Sequence, residues 1–201
     1  MTVKCRSLSI PGIRLIEPDI VRDDRGFFSE TFVERALTEC GISVHFVQEN
    51  HAMSFARGVV RGLHFQIPPH AQGKLVRVIR GSILDVAVDI RFGSPTFGMH
   101  VSAVVSAENR LQLWIPPGFA HGLCTLEPNT EVLYKVTAYY ASDYDHGLRW
   151  DDPELAIEWP VAAEDAILSP KDARLPRFCE LAPYFQCEPA AVQQPSQVAQ
   201  P

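Results

Sequence analysis

A series of short β-strand segments fills the middle of the chain, between residues 46 and 140, and limits the folds that the chain can adopt. Apolar residues dominate these segments, and turn signals such as Pro68-Pro69 and Gly93-Ser94 separate them. We place the strands at residues 58–66, 73–80, 82–91, 98–106, 110–115, 120–126 and 131–139. Seven short strands at this spacing predict a sandwich or a barrel.

The segment at 82–91 shows the clearest alternation of apolar and polar positions. The apolar positions are Leu84, Val86, Val88 and Ile90, and the positions between them are Asp85, Ala87 and Asp89. Because successive side chains of a strand point to opposite faces, the pattern predicts one face in the core and one polar face.

Helical signals lie only at the flanks of the strand series. Thr31, with Glu34 three residues later, predicts a helix start, and Gly41 predicts its end about two turns on. Ser169 followed by Pro170 predicts a second helix start, with the serine as N-cap.

The two ends of the chain differ in character. Residues 1–20 are broken by Pro11 and Pro18 and predict two short strands that could pair with a second subunit. Residues 155–160 are compatible with one more strand. Residues 188–201 are mostly Gln, Pro, Ala and Ser without an apolar period, which predicts a disordered tail. We therefore expect one domain over residues 1–187.

Composition narrows the functional classes. The 201 residues carry a net charge of −6, from 18 basic and 24 acidic residues, which argues against a general nucleic-acid-binding surface. Five scattered cysteines without a CxxC pair suit reduced thiols in a cytoplasmic protein. The sequence contains no run of about 18 apolar residues, so we predict no membrane span, and we expect no signal peptide.

Polar side chains within a strand are the main functional signal. Arg61, His64 and Gln66 lie between apolar residues in the segment at 58–66. In a regular strand Arg61 and His64 face opposite sides, so we expect a bulge at Gly62 if both line one cavity. A metal site fits poorly, because a metal cupin usually has a second histidine where Gln66 stands.

Acid–base chemistry is the second interpretation of His64, whose side-chain type suits a general base near neutral pH. The imidazole would need an orienting carboxylate on its other ring nitrogen. The candidate carboxylates are Asp85, Asp89 and Asp172, and the sequence does not choose between them. Tyr134 could donate a hydroxyl across a cavity from His64, and Lys74 could stabilise an oxyanion. Each of these also has a plain structural interpretation as a core or rim side chain.

Several residues could bind an anion or a base. Arg25 and Arg61 suit a diphosphate, with Gln48 and Asn50 as further hydrogen-bonding groups. The aromatic residues that could stack on a base are Phe28, Trp114 and Tyr140, although core packing is the commoner role of such side chains.

A set of ordered motifs runs from about residue 8 to residue 180. The main ones are Asp24-Arg25-Gly26-Phe27-Phe28-x-Glu30, Gln48-x-Asn50, Arg61-Gly62-Leu63-His64-Phe65-Gln66, Gln72-Gly73-Lys74, Pro116-Pro117-Gly118-Phe119-Ala120-His121-Gly122, Tyr134-Lys135, Tyr139-Tyr140 and Ser169-x-Lys171-Asp172. Together they closely resemble the dTDP-4-dehydrorhamnose 3,5-epimerase family.

The resemblance implies a mainly β, cupin-like jelly roll with short flanking helices, without a metal or another cofactor. It implies a homodimer with an exchanged N-terminal strand, and a dTDP-4-keto-6-deoxyhexose substrate that is inverted at C3 and C5. By resemblance, His64 is the base, Asp172 its partner, Tyr134 the acid on the opposite face and Lys74 the neighbour of the C4 oxygen. The residues that the resemblance implies contact the nucleotide or the sugar are Arg25, Glu30, Gln48, Asn50, Arg61, His121 and Tyr140.

Four alternatives remain open at the level of sequence. Two of them are enzymes on the same kind of substrate, an epimerase acting at C3 only and a 3,4-ketoisomerase. The third is a non-catalytic cupin that binds sugar nucleotides. The fourth, a metal-dependent cupin oxygenase, is disfavoured because Lys74 lies where an acidic ligand would be expected.

Overall fold

A computed structural model describes residues 3–187, and β-strands form most of its regular structure. In chain order the strands are β1 (Val3–Ser7), β2 (Arg14–Pro18), β3 (Val21–Asp23), β4 (Gly26–Phe28), β5 (Gln48–Ser54), β6 (Val60–Gln66), β7 (Lys74–Arg80), β8 (Ser82–Asp89), β9 (Arg91–Phe92), β10 (His100–Ser106), β11 (Gln112–Ile115), β12 (Phe119–Thr125), β13 (Thr130–Val136), β14 (Asp145–Gly147) and β15 (Phe185–Gln186). All seven strands predicted in the middle of the chain are present, with ends that differ by a few residues.

Two antiparallel sheets form the body of the protein. One has the order β1-β2-β11-β7-β13-β5, and the other has the order β10-β8-β12-β6-β14. A large cluster of buried apolar side chains, including Val76, Ile83 and Leu113, joins strands of both sheets. The arrangement is the predicted cupin-like jelly roll, in which non-consecutive strands pair across long connections.

Both faces of β8 are buried: the predicted polar face carries Asp85 and Asp89, and it is not exposed to solvent. Val86 and Val88 pack in a second apolar cluster with Leu155, on the outer side of the five-stranded sheet. Asp85 and Asp89 are fully buried. A carboxylate tolerates such burial only when hydrogen-bonded or paired, and both have partners, described below.

The expected irregularity at Gly62 is present. Strand β12 pairs His121 with His64 but Leu123 with Arg61, so two residues of β6 oppose only Gly122. Gly62 has a φ of +122°, and a Cβ added there would lie 2.6 Å from the Gly122 Cα. Because of this bulge, the side chains of Arg61 and His64 both face one cavity.

The helix in the first half starts later than predicted. Helix α1 spans Glu34–Glu39, with Val33 at its N-cap and no side-chain cap, so the predicted Thr31 cap is wrong. The Thr31 carbonyl instead accepts a hydrogen bond from the Gln112 side chain at 2.8 Å. The predicted end is confirmed, because Gly41 adopts φ +78° directly after the helix.

The segment after residue 150 contains fewer regular elements than predicted. No strand forms at 155–160, where the backbone turns and Trp159 donates its indole N–H to the Trp150 carbonyl at 2.8 Å. The helix start at Ser169 yields only a 3-10 turn, Asp172–Arg174. The Ser169 hydroxyl still accepts the Asp172 backbone N–H at 3.1 Å, as an N-terminal cap does. Two further 3-10 turns span Ser142–Tyr144 and Phe178–Glu180.

The ends of the described chain lie at the margins of the sheets. Strand β1 pairs only with β2 and forms the edge of the six-stranded sheet. The predicted tail at 188–201 lies outside the described residues. Within residues 3–187, none of the helices combines the length and the apolar character that a bilayer crossing requires.

Candidate active site

A cavity of about 310 Å³ lies between the two sheets. Its walls come from both sheets and from the loop before the 3-10 turn at Asp172. The residues that line it are Ala52, Ser54, Arg61, His64, Lys74, His121, Leu123, Val132, Tyr134, Asp145, Ser169, Lys171 and Asp172. Six predicted site residues therefore meet at one place although they are distant in sequence.

His64 and Asp172 form a close pair in this cavity. The Nε2 atom of His64 lies 2.5 Å from Oδ1 of Asp172. Since a carboxylate only accepts hydrogen bonds, Nε2 carries a proton, which leaves Nδ1 as the ring nitrogen that can accept one. Burial opposes ionisation of Asp172, but hydrogen bonds from His64 and Ser169 prevail and hold its pKa below the usual range. The pair has the arrangement of an oriented general base.

Tyr134 faces the same cavity from the opposing sheet. It lies on β13, whereas His64 lies on β6. Burial raises the pKa of Tyr134, nearby Asp145 raises it further, and Arg61 opposes both. The phenol is therefore protonated at neutral pH and can act as a proton donor.

Lys74 enters the cavity from the start of β7 and is 8% exposed. Its Nζ donates to the His64 carbonyl at 3.3 Å. Burial lowers the pKa of Lys74 to about 8, although Asp145 and Asp85 attract the charged form. A largely desolvated ammonium of this kind interacts strongly with a developing negative charge.

A second histidine–carboxylate pair lies beside the first. His121 Nε2 is 2.6 Å from Oδ1 of Asp85, and both side chains are buried. Burial lowers the pKa of His121; Asp85 opposes this effect, while Lys74 and His64 reinforce it. The ring is thus neutral at neutral pH, with Nε2–H directed to Asp85 and Nδ1 free to accept a hydrogen bond.

Arg61 has the polar partners that an arginine in an apolar strand needs. Its Nε donates to the Ser54 hydroxyl at 3.2 Å, and Nη2 donates to the Met53 carbonyl at 3.0 Å. Neither partner is charged, so the guanidinium keeps its full positive charge for an anion at the cavity wall.

A second cavity of about 320 Å³ adjoins the first and shares His64, Lys74, Tyr134 and Asp145 with it. Three predicted residues meet here: Gln48 donates to Asn50 at 2.7 Å and accepts the Tyr140 backbone N–H at 3.1 Å. The buried Gln66 fixes the same loop by donating to the Tyr139 carbonyl and accepting from the Ala141 N–H, at 3.1 and 2.8 Å.

Asp145 and Lys171 are cavity residues that were not singled out in the sequence. Lys171 donates to Asp145 at 2.5 Å, and the Tyr140 hydroxyl donates to the same carboxylate oxygen at 3.1 Å. Lys171 lies inside the motif that ends at Asp172, so its position next to Asp172 was the sequence signal that could have identified it as a site residue. Asp145 follows a turn and shows no periodic signal that distinguishes it from other surface carboxylates.

Three predicted site residues lie away from both cavities of this chain. Arg25 and Phe28 lie on or beside the exposed β3–β4 hairpin, and Glu30 follows it. Arg25 pairs with Asp23, and Phe28 is 60% exposed. Trp114 is also absent from the cavities, since it is buried against Phe46 in the cluster beneath α1.

Within residues 3–187, no group of three or more His, Cys, Asp or Glu side chains is arranged to hold a metal ion. His64 and His121 are neighbours across β6 and β12, but each is already paired with its own carboxylate. The cavity groups are thus arranged as two histidine–carboxylate pairs and a lysine.

Comparison with known proteins gives a consistent result. A family model described as dTDP-4-dehydrorhamnose 3,5-epimerase matches residues 7–180. The dTDP-4-dehydrorhamnose 3,5-epimerase of Sinorhizobium fredii is 51% identical over 181 residues, which cover 90% of this chain and 92% of that protein.

Two solved structures are similar in both sequence and fold. The dTDP-4-dehydrorhamnose 3,5-epimerase of Bacillus anthracis, with TDP and PPi bound, is 47% identical with a TM-score of 0.85, covering 88% of this chain and 99% of that one. The dTDP-6-deoxy-D-glucose-3,5-epimerase of Legionella pneumophila, in complex with dTDP-4-keto-L-rhamnose, is 42% identical with a TM-score of 0.88, covering 93% and 100%.

Proposed function

The chain belongs to the dTDP-4-dehydrorhamnose 3,5-epimerase family, and we propose that its cavity inverts C3 and C5 of dTDP-4-keto-6-deoxyglucose to give dTDP-4-keto-L-rhamnose. The observation that carries the proposal is the convergence of three groups on one cavity: an oriented histidine, a protonated phenol and a buried lysine. These are the groups that proton exchange next to a ketone requires.

Proton removal is assigned to His64. The C4 ketone acidifies the protons on C3 and C5, and loss of either proton places negative charge on the C4 oxygen as an enolate. His64 accepts the proton on Nδ1, and Asp172 stabilises the imidazolium that forms. Lys74 supplies the positive charge for the enolate, a contribution of about 3–4 kcal/mol for one good donor.

Proton return is assigned to Tyr134. Inversion requires that the new proton arrive on the face opposite to the one from which the first was taken. Tyr134 meets this requirement because β13 and β6 belong to opposing sheets, and its phenol is protonated at neutral pH. One proton leaves and one arrives at each carbon, so the proposed reaction needs no redox cofactor, and Lys74 supplies the positive charge for the C4 oxygen that a metal ion would otherwise provide.

The nucleotide end of the substrate is assigned to Arg61 and the adjoining cavity. Arg61 has no carboxylate partner among residues 3–187 and can bind the diphosphate. Tyr140 is 60% exposed beside that cavity, and its ring is open to stacking on the base. Binding energy from this distant end holds the sugar in place for the chemistry.

Arg25, Phe28 and Glu30 fit the proposal if the protein is a homodimer in which the N-terminal region of one subunit reaches the cavity of the other. Two observations support this arrangement. The β3–β4 hairpin exposes Val21, Phe27 and Phe28 by 53–60%, and β1 leaves one edge of its sheet unpaired. Exposed apolar side chains and open strand edges are features of association surfaces. Exchange of the N-terminal strand itself remains a prediction.

A complementation experiment tests the dimer. We expect Arg25→Ala and His64→Ala to be nearly inactive alone, because one lacks a nucleotide contact and the other lacks the base. After the two are mixed and allowed to exchange subunits, the hybrid contains one intact site and activity returns. A mixture as inactive as its components, although subunit exchange is observed, would exclude the shared site.

Two further expectations belong to the proposal. Within residues 3–187, Cys5, Cys40, Cys124 and Cys179 form no disulfide, which suits a reducing compartment such as the cytoplasm. One domain over residues 1–187 is the simplest division, since the final strand β15 pairs with β9 of the same body.

Incubation with dTDP-4-keto-6-deoxyglucose in D₂O, followed by NMR, tests the function directly. We expect deuterium at both C3 and C5 and formation of dTDP-4-keto-L-rhamnose. Uptake at C3 alone would identify a C3 epimerase, and a ketone moved to C3 would identify a ketoisomerase. Tight dTDP binding without any exchange would identify a binding protein instead.

A further inference from the structure

Asp85 is a buried carboxylate that the proposed reaction does not use. It lies on β8 and is 0% exposed. Its Oδ1 accepts from His121 Nε2 at 2.6 Å, whereas its Oδ2 is buried with no hydrogen-bond partner among residues 3–187. An unpartnered buried carboxylate oxygen is unfavourable, so the position needs a compensating interaction.

Lys74 is the candidate for the compensating charge, because it lines the same cavity as His121, the hydrogen-bond partner of Asp85. Asp85 and Asp145 are the two carboxylates whose attraction favours the ammonium form of Lys74. Asp145 already shares its charge with Lys171, at 2.5 Å, and with the Tyr140 hydroxyl. Asp85 has only the neutral His121 as a hydrogen-bond partner, so its negative charge is not cancelled elsewhere.

The groups that face Lys74 come from several elements. The titratable or charged side chains around it are Asp85 on β8, His121 on β12, Arg61 and His64 on β6, Tyr134 on β13, Asp145 on β14, and Lys171 and Asp172 at the 3-10 turn. Three of these are carboxylates, and because Asp172 is paired with His64, Asp85 and Asp145 are the two that favour the positive charge of the lysine.

We propose that Asp85 is a positioning residue, which fixes the ring of His121 and provides the permanent counter-charge of the Lys74 ammonium without touching the substrate. By accepting Nε2–H, it makes Nδ1 of His121 the atom that faces the cavity, as an acceptor for a sugar hydroxyl. By attracting Lys74, it keeps the enolate-stabilising charge in place at neutral pH. This inference deepens the proposed function and rests on it.

The Asp85→Asn variant tests the electrostatic part. Asparagine keeps the shape and can still accept from His121, but it lacks the charge. We expect the basic limb of the kcat–pH profile to move to lower pH by about one unit, the lower end of the effect of a nearby opposite charge. The KM should change little, because the nucleotide contacts are elsewhere. A basic limb that stays in place would overturn the proposal.

Asp89→Asn is the matched control. Asp89 lies on the same strand, four residues away, and is equally buried, but it binds Arg91, Ser94 and Thr96. Its replacement removes a buried charge without altering the environment of Lys74. We therefore expect the same basic limb as in the parent. A shift as large as that of Asp85→Asn would show that general destabilisation, and not Asp85, moves the limb.

Two measurements complete the test. In a Lys74→Met background, Asp85→Asn should lose most of its effect on kcat, whereas an equal effect in both backgrounds would contradict coupling through the lysine. In the parent, ¹⁵N NMR of His121 should show the Nε2–H form; an Nδ1–H form would contradict the positioning role even if Asp85→Asn did not fold. If the parent protein shows no deuterium exchange at C3 or C5, the proposed function is refuted. The NMR measurement on His121 would still test the positioning role of Asp85.

Discussion

Replacing Asp172 by asparagine tests how much the carboxylate contributes to the His64 base. The Asp172 side chain is 4% exposed, and its Oδ1 lies 2.5 Å from Nε2 of His64. The His64 side chain is 29% exposed. Asparagine preserves the volume and the possibility of a hydrogen bond, but it removes the charge that stabilises the imidazolium. A hydrogen bond to a charged group contributes about 1.5–3 kcal/mol, and His64 is open enough to water for partial screening.

A barrier raised by about 1.5–3 kcal/mol corresponds to a kcat lower by roughly 10-fold to 150-fold. Deuterium uptake at C3 and C5 in D₂O measures that rate, and KM should stay near the parental value. Asp165→Asn, at an exposed carboxylate far from the cavities, is the control and should behave as the parent. A kcat for Asp172→Asn within a factor of two of the parent would refute the role given to this pair.

Other expected outcomes follow from the same geometry. Because the pKa of Lys74 is lowered to about 8, its ammonium is present below that pH and lost above it. The kcat–pH profile of the parent should therefore fall through pH 8, and the profile of Lys74→Met should lack this fall. Gly62→Ala should lower the free energy of unfolding in urea by about 2–6 kcal/mol through backbone strain and overpacking. Gly26→Ala, where φ is +133° and an added Cβ meets nothing within 4 Å, should cost only the backbone part, about 1–3 kcal/mol. Gln66→Ala should raise KM more than it lowers kcat, because Gln66 holds the loop that carries Tyr140; an unchanged KM would contradict that role.

The strands were predictable because their limits are local. Turn signals and apolar alternation act over a few residues, and they placed seven of the strands between residues 46 and 140, although β5 was not predicted. The start of α1 was not predictable from Thr31 and Glu34, because the Thr31 carbonyl is taken by Gln112, 81 residues away. Long-range contacts of this kind override a local capping pattern.

The choice of partner for His64 shows the same limit within the site. The residues alone left Asp85, Asp89 and Asp172 as equal candidates, and the resemblance favoured Asp172. In the fold, Asp85 pairs with His121 and Asp89 with Arg91, which leaves Asp172 to approach His64 from 108 residues away. Which carboxylate faces which histidine depends on sheet register, which the spacing of residues does not encode, and on the Gly62 bulge, which the sequence predicted without the pairings that result.

The placement of Arg25 and Phe28 shows a further limit. Motif matching assigns these residues to the nucleotide, yet a single chain places them on an exposed hairpin away from its own cavities. A motif records which residues act together but not which subunit supplies them. The proposed dimer reconciles the two observations.

The central claim is that His64 and Tyr134 act on opposite faces of one enolate, and deuterium exchange in the two variants tests it most directly. With dTDP-4-keto-6-deoxyglucose in D₂O, we expect His64→Ala to lose exchange at both C3 and C5. Tyr134→Phe should retain exchange and lose inversion, because the proton can still be removed but not returned from the other face. Undiminished epimerisation by either variant would contradict the account.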